Sequence, residues 1–238
     1  MRLVLALLAM VTVSQAAVIL GGTNYDGLKQ ALDTAGITYT DLGVMFPDPS
    51  GLGAGDYIIL SNDGGTDPGA DYTAFLNAGG RLVMTGGSND DGFRTWLSGY
   101  FNITDTSSGW HTDGDWHKTG AHPLTSLLPA DYAFENNNAT YHMTGFLAGT
   151  DTTLLGQNDE PFAIAAVRTY ANGGYFYYMA LDIGANGYTS ANDQANFVVP
   201  FVQGLDIQST NAVPEPATFA LTAGALLGLA GLMRRRRS

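Results

Sequence analysis

Residues 75–87 read Phe-Leu-Asn-Ala-Gly-Gly-Arg-Leu-Val-Met-Thr-Gly-Gly, and this stretch decides how the chain folds. Glycine readily adopts the left-handed conformation at helix C-termini, so Gly79-Gly80 predicts the end of a helix over residues 71–78. The apolar run of residues 81–85 follows at once and is too short for a helix, which predicts a buried strand. A second glycine pair, Gly86-Gly87, then predicts a turn.

The same order of apolar strand, turn and helix recurs through the first half of the chain. Residues 17–20 lead into Gly21-Gly22 and an amphipathic stretch over 25–35, and residues 57–60 lead into another polar turn. Continuous apolar strands that alternate with helices are typical of a parallel sheet covered on both faces. We therefore predict an α/β domain over residues 17–208, with a flavodoxin-like, mostly parallel sheet and helices on both faces.

The second half is richer in strand signals. Residues 162–170 and 175–181 are joined by Ala171-Asn172-Gly173-Gly174, which predicts a C-terminal β-hairpin. A final helix is predicted over residues 193–205, where apolar residues recur with helical spacing and Pro200 predicts a kink.

This order of elements resembles the class I glutamine amidotransferase-like fold, including its ThuA-like relatives. The resemblance rests on the strand and glycine pair at 17–22, on residues 56–61 and 75–83, and on His122-Pro123-Leu124 before Leu128-Pro129. It implies a catalytic cysteine on a sharp turn after a central strand, here Gly86-Gly87-Ser88, with a histidine beside it. The chain has no cysteine, so the family's thiol chemistry is excluded. Ser88 is a poor replacement because its flanks lack the Gly-x-Ser-x-Gly pattern.

Polar residues follow the predicted parallel strands where such sheets bind ligands. Strand ends meet at one edge of an open α/β sheet, and the crevice there offers side chains and backbone amides to a ligand. An alternative explanation is turn chemistry alone, since Asn, Asp and Ser favour turns. The candidate ligand-binding residues are Asn24, Asn62, Asp63, Ser88, Asn89 and Asp90.

A second polar cluster runs from Trp110 to His117 and includes two histidines and two aspartates. These groups are able to hold a cation, and the tryptophans are able to stack on sugar rings. The spacing matches no standard zinc or EF-hand pattern, so we predict a surface loop that packs its tryptophans on the sheet edge. No catalytic residue, metal site or cofactor is predicted from these motifs.

Charge and cysteine content exclude several classes of function. Residues 17–213 hold 21 acidic and five basic residues, a formal charge of −16. A surface this acidic repels phosphate backbones, so we expect no nucleic-acid partner. Without cysteine the domain gains no disulfide and must rely on its apolar core.

The N-terminus has the pattern of a signal peptide. Arg2 precedes an apolar run over residues 3–13, and Ser14-Gln15-Ala16 supplies the small residues of a cleavage site. The run is too short to cross a bilayer comfortably, since a spanning helix needs about 20 residues. We predict a signal peptide over residues 1–16, with a mature chain that begins at Ala17.

The last 30 residues divide into three parts. A linker over 209–216 ends in the box Val213, Pro214, Glu215 and Pro216; residues 217–233 carry no charge; and four arginines stand in the tail 234–238. The uncharged segment predicts a transmembrane helix of roughly 25 Å, and the arginines favour a cytoplasmic end. An ordinary permanent anchor is the alternative explanation.

These three parts closely resemble the PEP-CTERM sorting signal. The resemblance implies an exosortase-type transpeptidase as partner, cleavage near the Pro-Glu-Pro box, and transfer to the cell surface or an exopolysaccharide matrix. We therefore expect an exported protein that is first anchored in the inner membrane with its domain outside the cytoplasm. A polysaccharide is the expected partner in that setting. The α/β domain is expected to bind without catalysis; the alternative is an exported hydrolase with an Asp/His or metal site.

Overall fold

A computed structural model describes residues 16–62, 67–86, 91–101, 103–105, 110–111, 115–135, 140–141, 144–146, 151–157, 163–184 and 189–207. Residues 1–15 of the predicted signal peptide and the sorting tail after Ile207 lie outside these residues, so both stay predictions. Within the described ranges, no helix is long and apolar enough to cross a membrane.

Thirteen strands are present in the part of the chain that the structure describes. Nine form one sheet, in the order β2-β1-β3-β4-β13-β12-β11-β7-β8, and the other four form the two-stranded pairs β10-β5 and β6-β9. The strand bounds are β1 Val18–Thr23, β2 Thr40–Asp41, β3 Tyr57–Asn62, β4 Arg81–Thr85, β5 Ile103–Asp105, β6 Trp110–His111, β7 Asp115–Lys118, β8 Asp131–Ala133, β9 Thr140–Tyr141, β10 Thr144–Phe146, β11 Asp151–Gln157, β12 Ala163–Thr169 and β13 Tyr175–Met179.

The large sheet is mixed, which corrects the prediction of a mostly parallel sheet. β2, β1, β3, β4 and β13 are parallel neighbours. From β13 onward, β12, β11, β7 and β8 pair antiparallel. Antiparallel strands need only short connections. The second half of the chain therefore adds strands without helical crossovers, and it was the alternation of strands with helices that made the parallel half predictable from the sequence.

Helices cover both faces of the parallel half, as predicted. Their bounds are α1 Asp26–Thr34, α2 Thr73–Asn77, α3 Asp91–Ser98, α4 Ala191–Asp193 and α5 Val199–Gly204. One core contains Leu28 of α1, Phe201 of α5 and the strand residue Ile59. The opposite core contains Phe75 of α2, Leu97 of α3 and the strand residue Ile58. Neighbouring residues of β3 thus face opposite cores, because side chains alternate along a strand.

The predicted C-terminal hairpin is present. β12 and β13 pair antiparallel from Ala165 and Met179 to Thr169 and Tyr175. In the connection, Asn172 and Gly173 both have positive φ, of 56° and 79°. Asn-Gly is the dipeptide that most readily adopts this conformation in a hairpin turn.

The irregularity predicted at Pro200 takes the form of a π-helical turn. Gln194–Val198 forms this turn between α4 and α5, and Pro200 stands in the first turn of α5. Proline lacks the N–H that an α-helix would use at this position, so the wider turn before it accommodates the missing hydrogen bond.

Both ends of the described chain lie at the amino edge of the parallel strands. Ala17 precedes β1, and its carbonyl accepts a hydrogen bond from the Tyr57 backbone N–H at 2.8 Å. Beyond α5, the carbonyl of Leu205 accepts a hydrogen bond from the Tyr57 side chain. The Arg81 guanidinium lies 5.0 Å from the Tyr57 ring centre and also donates to the Tyr57 hydroxyl. The chain therefore enters and leaves this domain on one side.

A carboxylate at the β2 end of the sheet ties α1 to the sheet. Asp41 accepts hydrogen bonds from Lys29 at 2.6 Å, from the Tyr25 hydroxyl at 2.8 Å and from the Gly43 backbone at 2.9 Å. These bonds, led by the one from Lys29, lower the pKa of Asp41 to about 2. Since the folded pKa lies below the unfolded one, the stabilisation is present above the unfolded pKa and is lost as the pH falls toward 2.

We predict that Lys29→Met raises the pKa of Asp41 toward its ordinary value, because it removes the strongest of the three donors. Carboxyl NMR titration of Asp41 measures this directly. Lys118→Met is the control. It removes the same charge, but from β7, which is distant from Asp41. An Asp41 that already titrates near pH 4 in the unaltered protein would contradict the assignment.

Candidate functional site

The carboxyl ends of β1, β3, β4 and β13 meet at one edge of the sheet. The register pairs Thr23 with Asn62, Ser61 with Thr85, and Thr85 with Met179. The segments that leave these strands therefore lie side by side. This edge, which we call the carboxyl edge, is the place where open α/β sheets bind ligands.

Close backbone packing at the carboxyl edge requires glycine. Gly22 has a φ of +105°, and a methyl group there would overlap the backbone oxygen of Ser61. Gly86 has a φ of +79°, and a methyl group there would overlap Oδ1 of Asp182. Gly22 was predicted to follow the first strand but lies inside β1, whereas Gly86 directly follows β4. At both positions glycine lets neighbouring strand ends come into contact.

The carboxyl edge buries four polar side chains. Ser61, Asn62 and Thr85 are fully buried, and Asp182 is 2% exposed. The Ser61 hydroxyl donates to the carbonyl of Asn24 at 3.2 Å. Thr85 Oγ1 has no hydrogen-bond partner among the described residues. Buried polar groups cost free energy unless they are hydrogen-bonded, so this concentration is unusual for a sheet edge.

The start of α4 closes one side of the carboxyl edge. The Gln194 amide donates to the Thr189 hydroxyl at 2.8 Å, and both side chains are buried. The Gly27 backbone N–H of α1 donates to the carbonyl of Gly184 at 2.6 Å. Gln194 Oε1 has no hydrogen-bond partner within the described part of the chain. The polar lining therefore continues from the strand ends to the first turns of α1 and α4.

The predicted ligand residues are only partly placed. Asn24 and Asn62 both lie at the carboxyl edge, at the ends of adjacent strands, and Asn24 adopts a positive φ of 46°. The other four predicted residues lie outside the described residues: Asp63, Ser88, Asn89 and Asp90. Asp182 was missed by the sequence analysis. It follows the apolar run of β13 and precedes Gly184, which is the same signal that marked the other strand ends.

At the carboxyl edge Asn24 is exposed and Thr23 is half-buried, so a polar ligand would meet an amide and a hydroxyl there. The side chains of Ser61, Asn62, Thr85 and Asp182 form a buried polar layer. Two histidine side chains are described, His117 on β7 and His122 before Pro123. Neither belongs to β1, β3, β4 or β13 or to the residues that directly follow these strands. The described residues of the carboxyl edge therefore contain no histidine to act as a base beside a hydroxyl.

Residues 112–114 lie outside the described residues, and the described part of the Trp110–His117 cluster is not the surface loop that was predicted. Asp115–Lys118 forms β7 inside the nine-stranded sheet, between β11 and β8. Trp116 is 1% exposed and belongs to the hydrophobic core, so it is not available to stack on a sugar. The His117 ring packs against Gly156 across the strand pair. Among the described residues no group of three or more His, Asp or Glu side chains is placed to hold a metal ion.

Two surface cavities lie away from the carboxyl edge. One of about 590 Å³ is lined by Lys118, His122 and Pro123, among others. His122 Nδ1 accepts the Leu124 backbone N–H at 3.2 Å, and burial lowers the pKa of His122. The other, of about 370 Å³, is lined in part by Asp71 and by two aromatic side chains that pack on each other, Trp96 and Tyr100.

No protein-family model matches the chain, and no curated protein matches it. Among solved structures, the exo-β-1,4-mannosidase Op5Man5 from Opitutaceae bacterium strain TAV5 is similar, with a TM-score of 0.53 and 12% sequence identity. The match covers 83% of this chain and 36% of the mannosidase chain. This chain thus spans about a third of that protein's length, and the likeness shows a shared fold alone.

Two further structures are similar over most of both chains. A GMP synthase protein from Thermoplasma acidophilum has a TM-score of 0.45 and 11% identity, over 82% of this chain and 98% of its own. PurLQS from Thermotoga maritima has a TM-score of 0.43 and 9% identity, over 80% and 99%.

Proposed function

We propose that this chain is an exported protein, sorted to the cell surface or an exopolysaccharide matrix, whose α/β domain binds a polar ligand without catalysis. The observation that carries the sorting is the order of the C-terminal segments: the Pro-Glu-Pro box at 214–216, an uncharged segment over 217–233, and four arginines. An exosortase-type transpeptidase would recognise this tail while the helix holds it in the inner membrane. For the domain itself we propose the amidotransferase-like version of the α/β fold.

The geometry of the domain supports a role at a surface. Ala17 and Leu205 both lie at the amino edge of the parallel strands, beside Tyr57. A chain attached through its C-terminal tail would therefore be held on this side. The carboxyl edge lies at the opposite ends of the same strands. It would face away from the attachment surface, toward ligands in the surroundings.

The chemistry of the carboxyl edge supports binding over catalysis. Strand ends there are packed against one another at Gly22 and Gly86. Among the described side chains there, the exposed amide of Asn24 and the half-buried hydroxyl of Thr23 are groups that would hydrogen-bond a neutral polar molecule such as a sugar. The chain contains no cysteine, so the nucleophile that the amidotransferase resemblance implies is absent.

A second candidate function is hydrolysis, and Asp182 is the observation that favours it. Its buried carboxylate lies against Gly86, which precedes the candidate residues Ser88, Asn89 and Asp90 in the sequence. Carboxylates positioned by burial are a recurring source of acid–base catalysis in active sites. In this alternative Asp182 would act as an acid or base on a bound substrate.

We predict that purified protein is not labelled by a serine-reactive fluorophosphonate probe and hydrolyses nothing in a panel of esters, amides and glycosides. The reason lies in the sequence, because the residues around Ser88 lack the Gly-x-Ser-x-Gly pattern of a serine nucleophile. Ser88→Ala and Asp182→Asn serve as matched variants. Labelling that maps to Ser88 and disappears in Ser88→Ala would refute the binding role. Hydrolysis that survives Ser88→Ala but disappears in Asp182→Asn would establish the second candidate instead.

A further inference from the structure

The amino end of β1 is held by a carboxylate with two bound donors. The Ala17 backbone nitrogen donates to Asp56 Oδ1 at 2.7 Å, and the Gly53 backbone nitrogen donates to Asp56 Oδ2 at 2.8 Å. With both oxygens engaged, the carboxylate is fixed in position. Ala17 and Asp56 are each half-buried, so water screens their contact only in part.

An independent feature of the sequence points to the same nitrogen. The small residues Ser14-Gln15-Ala16 predict cleavage between Ala16 and Ala17. The atom that contacts Asp56 is therefore the one that signal-peptide removal would free. We infer that Asp56 is the binding site for the α-ammonium group that processing creates at Ala17. This inference rests on the proposed export, because only processing at this bond produces the ammonium group.

The chemical change at this site is a simple hydrolysis. A signal peptidase adds water across the Ala16–Ala17 peptide bond, the C–N bond breaks, and Ala16 leaves with a new carboxylate. The Ala17 nitrogen, which carried one hydrogen and no charge, becomes an ammonium group with three hydrogens at neutral pH. The contact with Asp56 changes from a hydrogen bond between a neutral amide and a carboxylate to an ion pair between an ammonium group and a carboxylate, in which both partners are charged.

The consequence is a domain that becomes more stable when it is processed. β1 lies between β2 and β3 in the parallel half of the sheet, and its first pair joins Val18 to Tyr57. Fixing Ala17 to Asp56 secures this register at the amino edge. The signal peptide, while attached, would withhold the ammonium group and with it the stronger bond.

The test compares one chain before and after removal of a leader. Residues 17–238 are produced in detergent behind a removable leader whose cleavage leaves Ala17 as the first residue. We expect leader removal to raise the Tm by about 2–4 °C, and to raise it by less than about 1 °C in Asp56→Asn. Asp48→Asn is the matched control, since Asp48 caps the Ser50 backbone in the same way but does not contact Ala17. In Asp48→Asn, leader removal should raise the Tm by the full amount.

A second comparison keeps the test decisive if Asp56→Asn does not fold. In this second chain, leader removal leaves one extra glycine before Ala17, which moves the ammonium group by one residue. Leader removal should then produce no rise in Tm. An equal gain with and without that glycine, or an equal gain in the unaltered protein and Asp56→Asn, would overturn the inference.

N-terminal sequencing of the protein from its native cells separates this inference from the proposed function. A mature chain that begins at another residue overturns the inference together with the predicted cleavage site. A mature chain that begins at Ala17, but gains no stability on leader removal, overturns the inference and leaves the proposed export intact.

Discussion

Replacing Gly22 with alanine should lower the Tm of the 17–213 fragment by roughly 10 °C. The substitution carries two costs. A φ of +105° is strained for any residue with a Cβ, and the new methyl group would overlap the backbone oxygen of Ser61 on the neighbouring strand. Relief of this overlap would require β1 and β3 to separate where their register pairs Gly22 with Ser61. Together we expect a loss of about 3–5 kcal/mol in the free energy of unfolding.

Substitutions at two other glycines distinguish the cost of backbone strain from the cost of the methyl overlap. Gly51 has a φ of +86°, and a methyl group at this position would have no atom within 4 Å, so Gly51→Ala carries the strain alone, about 1 kcal/mol. Gly53 has open space and no positive φ, so Gly53→Ala should have almost no effect. Thermal unfolding followed by circular dichroism measures all three variants. If Gly22→Ala proved no less stable than Gly51→Ala, the close packing assigned to the carboxyl edge would be wrong.

Replacing Pro214, Glu215 and Pro216 by alanines should abolish sorting of the full-length protein. The box is the part of the tail that the resemblance assigns to the transpeptidase, whereas the uncharged segment and the arginines would still hold the chain in the membrane. We expect the variant to accumulate in the inner membrane with its arginines intact, and none at the cell surface. Immunoblots of membrane and surface fractions measure the distribution.

The control for this variant changes three residues of the same predicted linker. Sorting should be unchanged when alanines replace Ser209, Thr210 and Asn211, because these residues precede the box. Equal surface amounts of the box variant and the unaltered protein would show that the box has no role in sorting.

The parallel half of the sheet was predictable because local sequence carries its signal. Strands such as Tyr57–Asn62 are buried along their whole length, so they appear as continuous apolar runs. Two of the strand ends carry glycines, Gly22 and Gly86, that the close approach of neighbouring segments requires. The helices on both faces and the Asn172-Gly173 turn followed from equally local patterns.

The far end of the antiparallel half was harder to predict, because β7 and β8 are short and their burial depends on distant partners. β7 and β8 contain four and three residues, too few for a period to emerge. Trp116 stands among polar residues, and only its position between β11 and β8 places it in the core. The sequence therefore indicated a loop where the sheet continues.

Only part of the candidate site was predicted, because only some of its residues follow strands that local sequence reveals. Asn24 and Asn62 follow recognisable strands, so their shared edge could be inferred. Asp182 belongs to the same edge but was missed, because β13 had been interpreted only as half of a hairpin. Its parallel pairing with β4 joins residues about 90 positions apart, and no local pattern indicates such a pairing.

The intact mass of the protein extracted from the cell surface distinguishes sorting from permanent anchoring. If the tail is a sorting signal, the chain begins at Ala17, ends within or next to the Pro-Glu-Pro box at 214–216, and lacks every residue of the uncharged segment and the arginine tail. Recovery at the surface of a chain that still carries Arg234–Arg237 would contradict it, since such a protein would be permanently anchored and not sorted.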